Sequence, residues 1–143
     1  MTRTERLARY RAARQRSAPR VSLAAFKALV AQALDDLPPE VAERLDNVAV
    51  VVEAWPDPDH LAELGYDPNE SLLGLYEGIN RLERTGGYHL VVPDRITLYW
   101  LPILEEVGSS DPQAIRREVR KTIIHEVAHH FGFDDAELER LGG

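Results

Sequence analysis

The chain has 143 residues, 44% hydrophobic and 29% charged, which suits one soluble globular domain with a core of its own. It contains no cysteine, which excludes disulfides, thiolate metal ligands and cysteine nucleophiles. The net charge of −7 is unevenly spread: residues 1–20 carry seven arginines against one glutamate, or +6, and the remaining 123 carry −13.

The chain reads as a basic, flexible N-terminal arm over residues 1–20 followed by a single domain over 21–143. Lys27 and Gln32 interrupt the apolar stretch from Leu23 to Leu34, which argues against a secretion signal and for a cytoplasmic protein. No uncharged apolar run is long enough to span a bilayer, so no membrane association is expected.

Ser22 caps a predicted helix from Leu23 to about Leu37, with Leu23, Phe26, Leu29 or Val30, Ala33 and Leu37 on one face. Pro38-Pro39 ends it, and a short helix is expected from Pro39 to Leu45. Val48 to Val52 is the clearest strand, expected to be largely buried. Trp55 to Ser71 reads as loop with a helical turn near His60 to Leu64. Leu72 to Glu77, Tyr88 to Val92 and Ile96 to Trp100 read as short strands, with a turn at Gly86-Gly87, and Leu101 to Val107 as a short helix. Asp111-Pro112 is a strong helix start. The steps of four through Ile115, Val119, Ile123, Val127 and Phe131 give that helix an apolar face. Gly132 is expected to end it in a left-handed conformation, and Asp134 to Leu141 forms a last short helix.

The long helix closes on His125-Glu126-Val127-Ala128-His129, the string H-E-x-x-H. Residues four apart lie about 40° from one another around a helix, so both imidazoles can address one ion. Zinc is well matched to imidazole nitrogen. Glu126 flanks the histidine stripe and can act on water as a general base without entering the metal's coordination shell. A third ligand requires the chain to turn back, which Gly132 allows. Asp135 follows three residues later and completes H-E-x-x-H-x-x-G-x-x-D, the metzincin string with a carboxylate in place of the last imidazole. Asp134 is the alternative third ligand, and His130, about 100° around the helix from His129, belongs on the rim. The only methionine is Met1, so the metzincin Met-turn is absent, and the short stretch after the motif implies a shallow cleft or one completed by a partner.

At these residues the sequence resembles the small bacterial zincin-like metallopeptidases. The signature is His125 to Asp135, supported by Gly74-Leu75-Tyr76-Glu77-Gly78 and Pro93-Asp94-Arg95-Ile96-Thr97-Leu98-Tyr99, and the resemblance covers roughly residues 21–141. It implies an α+β, minimal zincin-like fold in which a small mixed sheet packs against the active-site helix. It implies Zn²⁺ held by His125, His129 and Asp135, with Glu126 as catalytic acid and base. The expected function is peptide-bond hydrolysis by water that Glu126 activates beside the metal, on a peptide or protein substrate. Such a substrate pairs with a sheet edge, for which Ile96 to Trp100 is the candidate. Tyr76 or Tyr99 is a candidate oxyanion donor. His60 and His89 read as structural or surface histidines.

Two other functions compete. One is a zinc-binding module that holds a peptide or partner with little or no cleavage. The other is a zinc endoribonuclease, whose H-x-x-x-H-x-x-x-x-x-H spacing is similar. Only the arginine arm supports a nucleic-acid partner, since the acidic body would repel phosphates. Oligomeric state is not legible.

Overall fold

The computed structural model describes residues 20–67, 72–78 and 93–142, together with the isolated positions 2, 5, 8 and 9. The expected turn at Gly86-Gly87, the strand Tyr88 to Val92 and His89 lie outside the described residues, as does most of the arm.

Helix α1 spans Leu23–Asp35, and the Ser22 hydroxyl accepts the Ala25 N–H at its start. Its buried face is Phe26, Leu29, Val30 and Ala33, while Leu23 is exposed. After Pro38 the six-residue helix α2, Pro39–Arg44, buries Val41. Strand β1 is Val48–Glu53, and helix α3, Pro58–Glu63, starts where Asp57 accepts the Asp59 N–H. Strands β2, Gly74–Glu77, and β3, Asp94–Tyr99, complete a mixed sheet that has three strands among the described residues. Helix α4 is Trp100–Val107, helix α5 is Pro112–Phe131 and helix α6 is Asp135–Arg140.

The strand order is β1-β3-β2, with β1 parallel and β2 antiparallel to β3. This arrangement corrects two expectations. Val48 to Val52 is only half-buried, because among the described residues β1 has a strand neighbour on one side only. The candidate substrate edge, Ile96 to Trp100, is not an edge. It overlaps β3, whose hydrogen bonds are taken on both sides, and Trp100 already belongs to α4.

Helix α5 is the spine of the core. Asp111 caps it through the Gln113 N–H, and Ile115, Val119, Ile123 and Val127 are fully buried against α1, α2, α4 and the sheet. The fifth member of that stripe, Phe131, is 38% exposed, meeting the Tyr76 ring of β2 edge-on. The other side of α5 is left to polar residues, which puts His125 and His129 at the surface. The opposite face of the sheet carries a second, smaller cluster of Leu61, Leu75 and Tyr99.

If α5 is the spine, truncating its buried stripe is costly. Ile123→Ala should lose about 2–5 kcal/mol of unfolding free energy, read by urea titration. Leu64→Ala, at a position 45% exposed, should stay within about 0.5 kcal/mol of wild type.

Candidate active site

The last two turns of α5 carry His125, Glu126, His129 and His130. The two histidines four apart are exposed on one side of the helix. Glu126 sits at the boundary between that side and the sheet. It is half-buried, and its Oε2 accepts the Tyr76 backbone N–H of β2 at 3.2 Å. Burial pushes its carboxyl above the ordinary value, opposed by the Tyr76 amide and the charge of His129.

The register explains how β2 supplies that amide. Tyr99 donates its N–H to the Leu73 carbonyl at 2.9 Å, so Leu73, and by alternation Leu75 and Glu77, bond toward β3. Gly74 and Tyr76 therefore direct their backbone groups away from β3, toward α5. The strand comes this close because of Gly74. A Cβ there would lie 2.8 Å from Thr122 Cγ2 and 3.3 Å from the Thr97 carbonyl oxygen. Thr122 is held in place, as its hydroxyl donates to the Glu118 carbonyl at 2.8 Å. A cavity of about 310 Å³ opens along this seam, from Glu118 to His125 and Glu126 on the helix and along Leu73 and Gly74 on the strand.

The remaining candidates fall on either side of the sheet. Tyr76 faces α5: its ring stacks on His130 with centroids 3.8 Å apart, and its hydroxyl donates to Asp94 Oδ2 at 2.9 Å. His130 is exposed and also meets Phe131 edge-on, above which lies the Arg44 guanidinium. Tyr99 projects from the other face of the sheet and packs with Leu61 and Leu75, so it is not brought to the histidines. His60, on that same far side, lies 2.8 Å from Glu77 Oε2 through Nε2.

Past α5 the chain turns at Gly132, which has φ +72° and donates its N–H to the Ala128 carbonyl. Asp134 is the N-cap of α6: its carboxylate accepts the Glu137 N–H at 2.7 Å, and the Glu137 carboxylate accepts the Asp134 N–H in return. Asp135 is the first residue of α6, is exposed, and its carboxylate makes no hydrogen bond or ion pair among the described residues. Among those residues no three His, Asp or Glu side chains are gathered in a way that could hold a metal ion. The donor chemistry, two imidazoles at helical spacing and an uncommitted carboxylate beyond the turn, nevertheless suits zinc.

The Gly74–Thr122 contact and the Tyr76 amide were not expected from sequence. A glycine inside a predicted strand, Gly74 within Leu72 to Glu77, was the one available signal, since it often marks a close backbone approach. Gly74→Ala should cost about 1–3 kcal/mol, and adding Thr122→Ser, which removes the obstructing methyl, should recover part of the loss in thermal melts.

Glu126 also carries a pH signature. Its folded-state carboxyl is raised, so its contribution favours folding below the unfolded value and is lost as pH rises through the folded one. Metal-free Glu126→Gln should therefore melt above wild type at neutral pH, and the gap should shrink on acidification below the ordinary glutamate range.

A family model for zincin-like metallopeptidases matches residues 45–143. No curated protein matches the chain. The matched segment runs from the start of the sheet through both histidines to the end of α6, and a small mixed sheet against a histidine-bearing helix is the architecture observed. The chain belongs to the zincin-like metallopeptidase family.

Proposed function

We propose that the chain is a zinc-dependent peptidase in which His125, His129 and Asp135 hold the metal and Glu126 moves the proton. The observation that carries this reading is the state of Glu126. It is a half-buried carboxylate beside exposed imidazoles, oriented by a backbone amide and raised by burial. Structural zinc binding has no use for such a group, whereas peptide hydrolysis needs a base that later acts as an acid.

When bound, zinc supplies Lewis-acid polarisation of the scissile carbonyl and lowers the pKa of water. Glu126 takes the proton from the attacking water on a carboxylate oxygen and returns it to the leaving amine. Its raised carboxyl favours the first half of that cycle, because the protonated state is less costly to reach. The Tyr76 N–H fixes one oxygen and leaves the other to face the reacting water. For the third metal ligand, the structure favours Asp135 over Asp134 on availability, since the Asp134 carboxylate already holds the start of α6.

The substrate would lie along β2. Among the described residues no strand pairs with β2 on the side away from β3, and Glu126 lies on that side through the Tyr76 N–H. An extended peptide can add to such an edge by main-chain hydrogen bonds. The neighbouring seam between Leu73 and Glu118 would receive a side chain.

A second reading, a zinc protein that holds peptides without cutting them, is favoured by one observation: the three proposed ligands are not gathered into one group. Two measurements separate the readings. Elemental analysis should find about one zinc per chain, lost in His129→Ala, weakened in Asp135→Asn and retained in Asp134→Asn. Peptide cleavage by the zinc-loaded chain should fall about 10²- to 10⁴-fold in Glu126→Gln with metal content unchanged. Zinc binding without any Glu126-dependent cleavage would leave the binding module, and no zinc in the wild type would overturn both.

A further inference from the structure

The hydrogen bond that orients Glu126 is easily lost. The Tyr76 N–H meets Glu126 Oε2 at 3.2 Å, the long end of the N–H···O range, and a drift of about 0.5 Å would break it. Strand β2 has only four residues, and among the described residues its ladder lies on the β3 side alone. Leu75 and Glu77 point to the far face of the sheet. On the α5 side Gly74 has no side chain, which leaves that of Tyr76 to tie the strand to the helix.

That side chain is held at both ends. Its ring lies on His130, with centroids 3.8 Å apart and planes 21° from parallel, and meets Phe131 edge-on at 5.9 Å. Its hydroxyl donates to Asp94 Oδ2 at 2.9 Å. The register makes this possible. Tyr76 stands opposite Ile96, so Asp94, two residues earlier on β3, is its diagonal neighbour on the same face. A Cβ on Gly78 would come within 3.6 Å of His130 Cε1 and 3.9 Å of Asp94 Oδ1, so imidazole and carboxylate both close on the end of β2. A tyrosine side chain turns about only two torsions. Fixing its ring face and its hydroxyl therefore fixes its Cα, and with it the adjoining N–H. The hydroxyl has one proton and gives it to Asp94, so Tyr76 serves the site through ring and amide rather than as the oxyanion donor its type suggested.

We propose that Asp94 is a positioning residue for Glu126: it anchors the Tyr76 hydroxyl, which keeps the ring flat on His130 and the Tyr76 N–H on the glutamate. The anchoring belongs to the metal-free chain as well, while its consequence for turnover rests on the peptidase reading.

Hydrogen exchange at the residue 76 amide, followed by NMR on the metal-free full chain, tests the anchoring. Exchange of the Ile123 amide, inside α5, reports overall stability and is the reference. Relative to it, residue 76 should exchange about tenfold faster or more in Tyr76→Phe, which keeps ring and amide, and in Asp94→Ala. Asp94→Asn retains an acceptor oxygen and should stay within about threefold of wild type. Arg95→Gln removes the pair with Glu77 on the far face of the same two strands and should leave residue 76 unchanged.

In the zinc-loaded chain, Tyr76→Phe and Asp94→Ala should lower kcat for peptide cleavage about ten- to a hundredfold. KM and zinc content should not move, and Asp94→Asn should restore most of the loss. Tyr76→Phe decides alone if Asp94→Ala does not fold. Unchanged exchange at residue 76 in Tyr76→Phe, equal acceleration in Arg95→Gln, or full kcat despite a loosened amide would each overturn the proposal. A wild type that cleaves no peptide would remove the peptidase reading instead, and the exchange rates would then decide the anchoring by themselves.

Discussion

The seam between α5 and β2 is the contact on which the rest of this structure depends. One residue without a side chain, Gly74, lets the strand approach the helix to within reach of Thr122. That approach brings the outward-facing amide of Tyr76 onto Glu126. The helix brings the histidines, but a helix alone cannot decide the orientation or ionisation of the glutamate between them. Both are set by the strand, which supplies a donor, and by the burial that its proximity imposes.

The same geometry ties stability to chemistry. The apolar stripe of α5 anchors the helix in the core through Ile115, Val119, Ile123 and Val127. This leaves the adjoining face, from Glu118 through Thr122 to Glu126 and His129, along the sheet edge. The helix then ends at Gly132, and a capping box at once starts a new helix. In this way the chain reverses within a few residues and carries Asp135 past the turn with its carboxylate uncommitted. A partly buried carboxylate raised by desolvation is a cost to the metal-free fold, and such costs are typical of sites kept for chemistry.

The local features of this chain were legible in its sequence because their causes are local. Ser22, Asp111-Pro112 and Gly132 announced the helix ends, and steps of four announced the buried face of α5 through Val127. The histidines and Glu126 lie within one turn of each other, so their side of the helix followed from spacing alone. What failed was non-local. The string from Ile96 to Trp100 reads as a strand, but nothing in it says that β1 and β2 flank it on both sides. Strand order depends on which distant segments find one another, and β1 and β3 are joined across some forty residues. Tyr76 and Tyr99 looked equivalent as candidate donors, yet the alternation of their strands sends them to opposite faces of the sheet. His60 gave no signal of its pairing with Glu77, because its partner lies on another element.

The most direct test of the central claim, that the end of α5 is a zinc centre built from two imidazoles and one carboxylate, is zinc-edge X-ray absorption of the zinc-loaded chain. Nitrogen and oxygen neighbours at about 2.0–2.2 Å from the zinc are expected, with more distant scattering from two imidazoles that falls to one in His129→Ala. A shell without imidazole scattering, or one unchanged by His129→Ala, would contradict it.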